Sequence, residues 1–190
     1  MQRFFTHKVD TNGWHTADLR RAIRNARREL LKEHDLAFVL SVADLVFSGS
    51  NNVMGSVHYL LGPMIVSKPV RVRNVFRWAK SDNRWLRRAA CVSLIQGTRR
   101  GMFFPEIRGL AVTLLQDDDD MVQKGLGWLL RETAKANPVR AVPLLNCIRD
   151  RAPRLVLRTA CETLPVSTRR KILTSSLAVP PRSPKLTRHC

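Results

Sequence analysis

The sequence predicts an all-α protein, a solenoid of stacked helix pairs. Three observations carry this. Apolar residues recur at helical spacing along most of the chain, with short breaks at Gly, Pro, Asn and Ser. Strand-like alternation is almost absent. A four-residue pattern of apolar, polar, polar and small returns at Leu86-Arg-Arg-Ala89, Val122-Gln-Lys-Gly125 and Leu157-Arg-Thr-Ala160, first 36 and then 35 residues apart. A period of that size holds two helices per unit, which is the mark of a HEAT or armadillo type of stack.

The segment up to Thr16 reads as a loop or strap, with Asn12-Gly13 as a turn and Trp14 unplaced. Thr16–Lys32 is a basic amphipathic helix: Leu19, Ala22, Ile23, Ala26 and Leu30 form a stripe among Arg20, Arg21, Arg24, Arg27 and Arg28. Asp35–Phe47 is a more apolar helix that ends at Ser48-Gly-Ser-Asn-Asn52. Val53–Ile65 has helical spacing weakened by Gly55 and Gly62-Pro63. Pro69–Lys80 and Asp82–Gln96 make a pair, the second apolar nearly all round and so an inner helix. Pro105–Gln116, Pro138–Arg149, Pro153–Thr163 and Val166–Leu173 are further helices. The sequence divides into a solenoid domain over residues 1–174 and a basic, disordered tail over 175–190.

Asp117–Pro138 has both helix ends marked. Four aspartates lie where exposed amides and the positive dipole end attract anions, and Asn137-Pro138 closes the helix. At about 100° per residue, Val122, Leu126, Leu129, Leu130 and Thr133 share one face, and Lys124, Gly127, Arg131 and Lys135 the other. Gly127 reads as a gap through which a polyanion backbone approaches.

Charge gives the functional direction. The 190 residues carry 33 Lys and Arg against 15 Asp and Glu, a net +18, with a pI near 11.3. Such an excess points to a phosphate-rich partner, meaning DNA, RNA or an anionic membrane surface. In a solenoid the inner helices line a concave groove, and Arg87, Arg88, Lys124, Arg131, Arg158 and Lys135 are the candidate phosphate contacts. The competing role for an arginine in this slot is pairing with an acid of the next repeat. Trp78, Trp85 and Trp128 lie among apolar neighbours and are expected to pack in the core rather than stack on bases.

No stretch of about 18 apolar residues is present, so no membrane span is expected. The 4 cysteines form no Cys-x-x-Cys pair and the 5 histidines no ligand spacing, so neither a zinc site, a disulfide framework nor any other metal or cofactor is expected. Asp117–Asp120 reads as a helix cap in preference to a metal site. A reduced, cytoplasmic setting fits the cysteine usage, with a monomer expected, nucleoid-associated if the phosphate-rich partner is DNA. No nucleophile elbow or phosphate-cradling glycine loop appears. From the residues alone the chain is a basic helical groove.

Trp85-Leu-Arg-Arg-Ala-Ala, Asp119-Asp-Met-Val-Gln-Lys-Gly-Leu-Gly-Trp-Leu-Leu-Arg-Glu and Pro153-Arg-Leu-Val-Leu-Arg-Thr-Ala-Cys-Glu together resemble the AlkD-type DNA alkylation repair family. The resemblance runs from about Leu60 to Leu173 and more loosely through Thr16–Phe47. It implies a HEAT-like superhelix around damaged duplex DNA, excision of cationic N3- or N7-alkylated purines without base flipping, and a backbone-contacting role for Arg131. It also implies a Trp and an Asp in the helix before Leu60-Leu-Gly-Pro. That Asp column falls at Met54, or at Ser56 with Asn52 in the Trp column, and neither alignment supplies a carboxylate. The nearest upstream acid, Asp44, belongs to the preceding helix, and about one helical pair is missing after Ser48-Gly49. The sequence therefore describes a shortened or divergent member. Its alternative reading is a non-catalytic nucleic-acid-binding or scaffold protein.

Overall fold

The computed structural model describes residues 53–174, apart from the side chains at 53–56 and 60. The helices expected at Thr16–Lys32 and Asp35–Phe47, Trp14 and the tail at 175–190 lie outside the described residues.

Every regular element among the described residues is helical. In order these are α1 (Val53–Ser67), a 3-10 turn (Pro69–Arg71), α2 (Val72–Trp78), α3 (Arg84–Ser93), α4 (Ile95–Thr98), α5 (Phe104–Leu114), α6 (Asp120–Ala136), α7 (Pro138–Ile148), α8 (Arg154–Ala160) and α9 (Val166–Thr174). The chain keeps α6 at its centre, packed on α3 at one side and α8 at the other, with α4, α5 and α7 also against it. Among the described residues no helix is long and apolar enough to cross a membrane.

The ends of α6 are set by side chains. Asp119 Oδ1 accepts from the amides of Met121 at 2.8 Å and Val122 at 3.3 Å, the N-cap geometry that satisfies orphan helix donors. Asn137 stops α6 and starts α7, its Oδ1 accepting from the Arg140 amide at 3.1 Å with Pro138 at the first helical position. Val122, Leu126, Leu129, Leu130 and Thr133 are all buried, so the apolar face is as the periodicity predicts.

Besides shifted helix ends, such as α8 stopping at Ala160 short of Thr163 and α5 at Leu114 short of Gln116, three boundaries differ from expectation in kind. Helix α1 runs on through Pro63 to Ser67. Pro69–Lys80 splits into the 3-10 turn and α2, because a proline at the start favours a tight first turn. The expected Asp82–Gln96 helix breaks at Leu94 into α3 and α4. Leu94 and Ile95 are both fully buried there, so packing rather than a helix-breaking residue sets the bend.

Candidate nucleic-acid interface

The solvent-facing side of α6 carries Lys124, Trp128, Arg131 and Lys135 in successive turns. Lys124 and Lys135 are exposed, and Trp128 and Arg131 are half-buried. The repeat pattern has two polar slots. Arg87, Gln123 and Arg158 fill the first, and Arg88, Lys124 and Thr159 the second. The small residues that follow, Ala89, Gly125 and Ala160, are all buried where neighbouring helices approach.

The neighbours Arg87 and Arg88 have opposite fates. Arg87 donates from Nε to Asp117 Oδ2 at 2.6 Å and from Nη2 to Oδ1 at 3.3 Å, while Nη1 reaches the carbonyls of Ser81 at 3.0 Å and Asp82 at 2.9 Å. All three nitrogens are occupied, and the bond to Asp117 holds the guanidinium firmly protonated. Of the two roles weighed from sequence, inter-repeat pairing is the one this geometry displays. Arg88 has no such partner among the described residues. Its Nη1 points at Met121 Sδ, 2.8 Å away, its Nε is buried without a hydrogen bond, and burial pushes its pKa down. Gly125 makes room for this side chain: a Cβ there would lie 2.9 Å from Arg88 Cγ.

Lys124 and Arg158 are exposed and make no ion pair among the described residues. Arg131 is salt-bridged to Glu162, in the turn that follows α8. Its Nε lies 3.6 Å from Glu132 Oε1. Lys135 Nζ donates to Glu132 Oε1 at 3.2 Å.

Glu132 was not singled out by the sequence. Its side chain is 5 % exposed, yet it takes Lys135 on one oxygen and Arg99 on the other, through Nε at 3.0 Å and Nη2 at 2.9 Å. Burial pushes the carboxyl up, but the hydrogen bonds from Arg99 and Lys135 outweigh it and hold the group below the usual glutamate range. The signal available was an acid on the margin of an otherwise apolar helical face.

The tryptophans divide. Trp78 is buried. Trp85 is half-buried beneath the Arg84 guanidinium, 4.9 Å from its ring. Trp128 flanks the core but sits on the basic side of α6, its ring centroid 5.6 Å from that of His58. His58 is 3 % exposed, contacts Gln96 Nε2 at 3.3 Å, and is kept neutral by burial and by the nearby Arg99 charge. Met54 and Ser56 lie at the start of α1, and Asn52 and Asp44 lie outside the described residues.

Gly127 corrects the sequence reading. It is buried, and a Cβ would meet Thr159 Cβ at 2.8 Å and the Val156 carbonyl at 3.3 Å. The gap admits α8, not a polyanion. Replacing it by Val is expected to cost about 3 kcal/mol, the upper part of the overpacking range. A Thr159→Ala partner change should restore part of that loss in a double-mutant cycle followed by urea denaturation. Equal losses in the two backgrounds would mean that the Thr159 methyl, 3.1 Å from that Cβ, is not what the new side chain meets.

A family model described as DNA alkylation repair enzyme matches residues 31–164, most of the chain and all of α1 to α8. The chain belongs to the DNA alkylation repair enzyme family. No curated protein matches it. For this member of the family, a role in DNA alkylation repair follows from membership. The match includes Arg88, Lys124, Trp128, Arg131, Lys135 and Arg158, so the basic side of α6 and its neighbours belongs to the shared part of the chain.

Proposed function

We propose that this protein binds alkylated duplex DNA along a concave face of a HEAT-like helical stack, and that binding is the part of the repair function it retains. The observation that carries this is the unpaired cation set. Arg88, Lys124 and Arg158 come from the three repeats and have no carboxylate of their own among the described residues, while Arg87 is engaged with Asp117. Cations without a carboxylate partner lose little on meeting phosphates and release counterions from the duplex. Arg131 and Lys135 join the contact by exchanging part of their hold on Glu162 and Glu132 for phosphate oxygens.

Excision of a cationic purine is helped by a carboxylate that stabilises the developing positive charge on the sugar. The column where the resemblance places that group holds Met54 or Ser56. Glu132, the buried acid nearest Trp128 in sequence, is already neutralised by Arg99 and Lys135. Tight, salt-sensitive binding without turnover follows. The test is incubation with a duplex containing 7-methylguanine, following base release and binding together. Binding with release at the uncatalysed rate is expected. Release well above background would establish a glycosylase that uses another group, with His58 beside Trp128 the first residue to replace. Binding that does not fall with added salt would remove the groove itself.

A further inference from the structure

From the geometry around Glu132 we infer that Arg99 is a phosphate-binding residue, held ready by that buried carboxylate at the C-terminal end of the basic strip. The inference rests on the DNA-binding reading and adds to it a contact that neither the repeat slots nor the family resemblance marks.

Arg99 caps α4, outside the helix that carries the strip. Its guanidinium reaches Glu132 from a distance of 33 residues along the chain. Lys135, in the last turn of α6, takes the other oxygen of the same carboxylate. The two cationic heads therefore converge on one group, and Arg99 extends the line of Lys124, Arg131 and Lys135.

The way Arg99 is held separates it from Arg87. Both donate through Nε and Nη2 to a carboxylate. Arg87 also has Nη1 closed off by two carbonyls, and its side chain is only 20 % exposed. Arg99 meets Glu132 through its inner edge alone, and its side chain is 49 % exposed. The outer edge, Nη1 with the second Nη2 hydrogen, makes no hydrogen bond among the described residues. A planar fork with one edge anchored and the other open is the arrangement that takes two phosphate oxygens at once. Anchoring removes rotamer freedom before the ligand arrives, so less is lost on binding.

The charge count agrees. Arg99, Arg131 and Lys135 gather around Glu132, with Glu162 on the far side of Arg131. Three cations against two carboxylates leave a site that is still positive and half open to water. A phosphodiester is the ligand such a site fits, and the duplex supplies one at regular spacing.

The test uses the full chain, a fluorescent duplex and binding isotherms across a salt series, with Arg99→Gln/Glu132→Gln as the main variant. This pair removes one positive and one negative charge, so net charge is unchanged and a shift in slope reports a local contact. The two amides can still bond each other, which preserves the α4–α6 tie. The expected result is a salt slope reduced by about one and affinity lowered roughly fivefold at 0.15 M salt, with a cooperative melt only slightly below that of wild type. An unchanged slope and affinity would overturn the inference. Lys124→Gln runs beside it. If that change lowers the slope and the double variant does not, Arg99 alone loses its role; if wild type shows no salt-dependent binding, the DNA reading falls too. Should the double variant fail to fold, Arg99→Lys serves. It keeps the charge at Glu132 but lacks the outer fork, and wild-type affinity in that variant would equally sink the proposal.

Discussion

Replacing Arg88, Lys124 and Arg158 together by Gln is expected to weaken duplex binding on the order of a hundredfold at 0.15 M salt while leaving the fold intact. Each phosphate contact contributes about 0.9 to the slope of log affinity against log salt, so the slope should fall by nearly three. The effect on stability should be small because none of the three makes an ion pair among the described residues. Arg88 is the one with packing at stake, through its stem over Gly125 and its tip on Met121. Single replacement of Arg87 is expected to give the opposite pattern. It removes two hydrogen bonds that join α3 to Asp117 in the loop before α6 and two to the Ser81 and Asp82 carbonyls in the loop before α3, so melting should drop while the salt slope holds. Isotherms across a salt series and thermal melts on the same preparations check both halves. A slope unmoved in the triple variant would place the phosphate backbone elsewhere on the molecule.

The second large effect concerns Glu132. Removing its partners by Arg99→Ala/Lys135→Ala leaves a carboxylate that is 5 % exposed without hydrogen-bond donors. An unpaired buried charge costs about 3–5 kcal/mol. Arg131, 3.6 Å away, should hold the loss near 3. Glu132→Gln should cost far less, about 1 kcal/mol, since the abandoned cations are half exposed and can turn to water. The sign with pH follows from the same pairing. In the wild type the folded pKa of Glu132 lies below its ordinary value. Its contribution is therefore complete above about pH 4.5 and is lost as pH falls through the folded value. In the double-alanine variant burial acts with little opposition, so protonation should relieve the penalty and the stability gap to wild type should narrow in acid. Urea titrations at pH 7 and pH 4 measure both. A gap that stays constant between the two would mean that Glu132 reaches solvent.

Much of the helical order was legible along the chain. Asp119 and Asn137 announced the ends of α6 because capping is local: the side chain bonds amides two or three residues away. The buried face of α6 followed from periodicity, since a helix must put Leu126, Leu129 and Leu130 on one side. The spacing of Ala89, Gly125 and Ala160 also announced close helix approach, and all three are buried. The bend at Leu94 was not legible, because it lies in an unbroken apolar run and depends on what α3 and α4 pack against.

The candidate interface was legible as a set of cations and illegible in its members. Arg87 and Arg88 are adjacent in sequence and identical in chemistry. A turn of about 100° sends one to Asp117 and the other over Gly125. Gly127 resembles an opening when only its own helix is considered, and is a contact once α8 is in place. Arg99 and Glu132 lie 33 residues apart, with no spacing rule to connect them. The sequence alone determined which stretches are helical, which faces are apolar, and how much positive charge the molecule must place. Only the tertiary structure decided which charges are used up inside it, because an ion pair forms between residues that the packing of helices, not their order, brings within about 3 Å of each other.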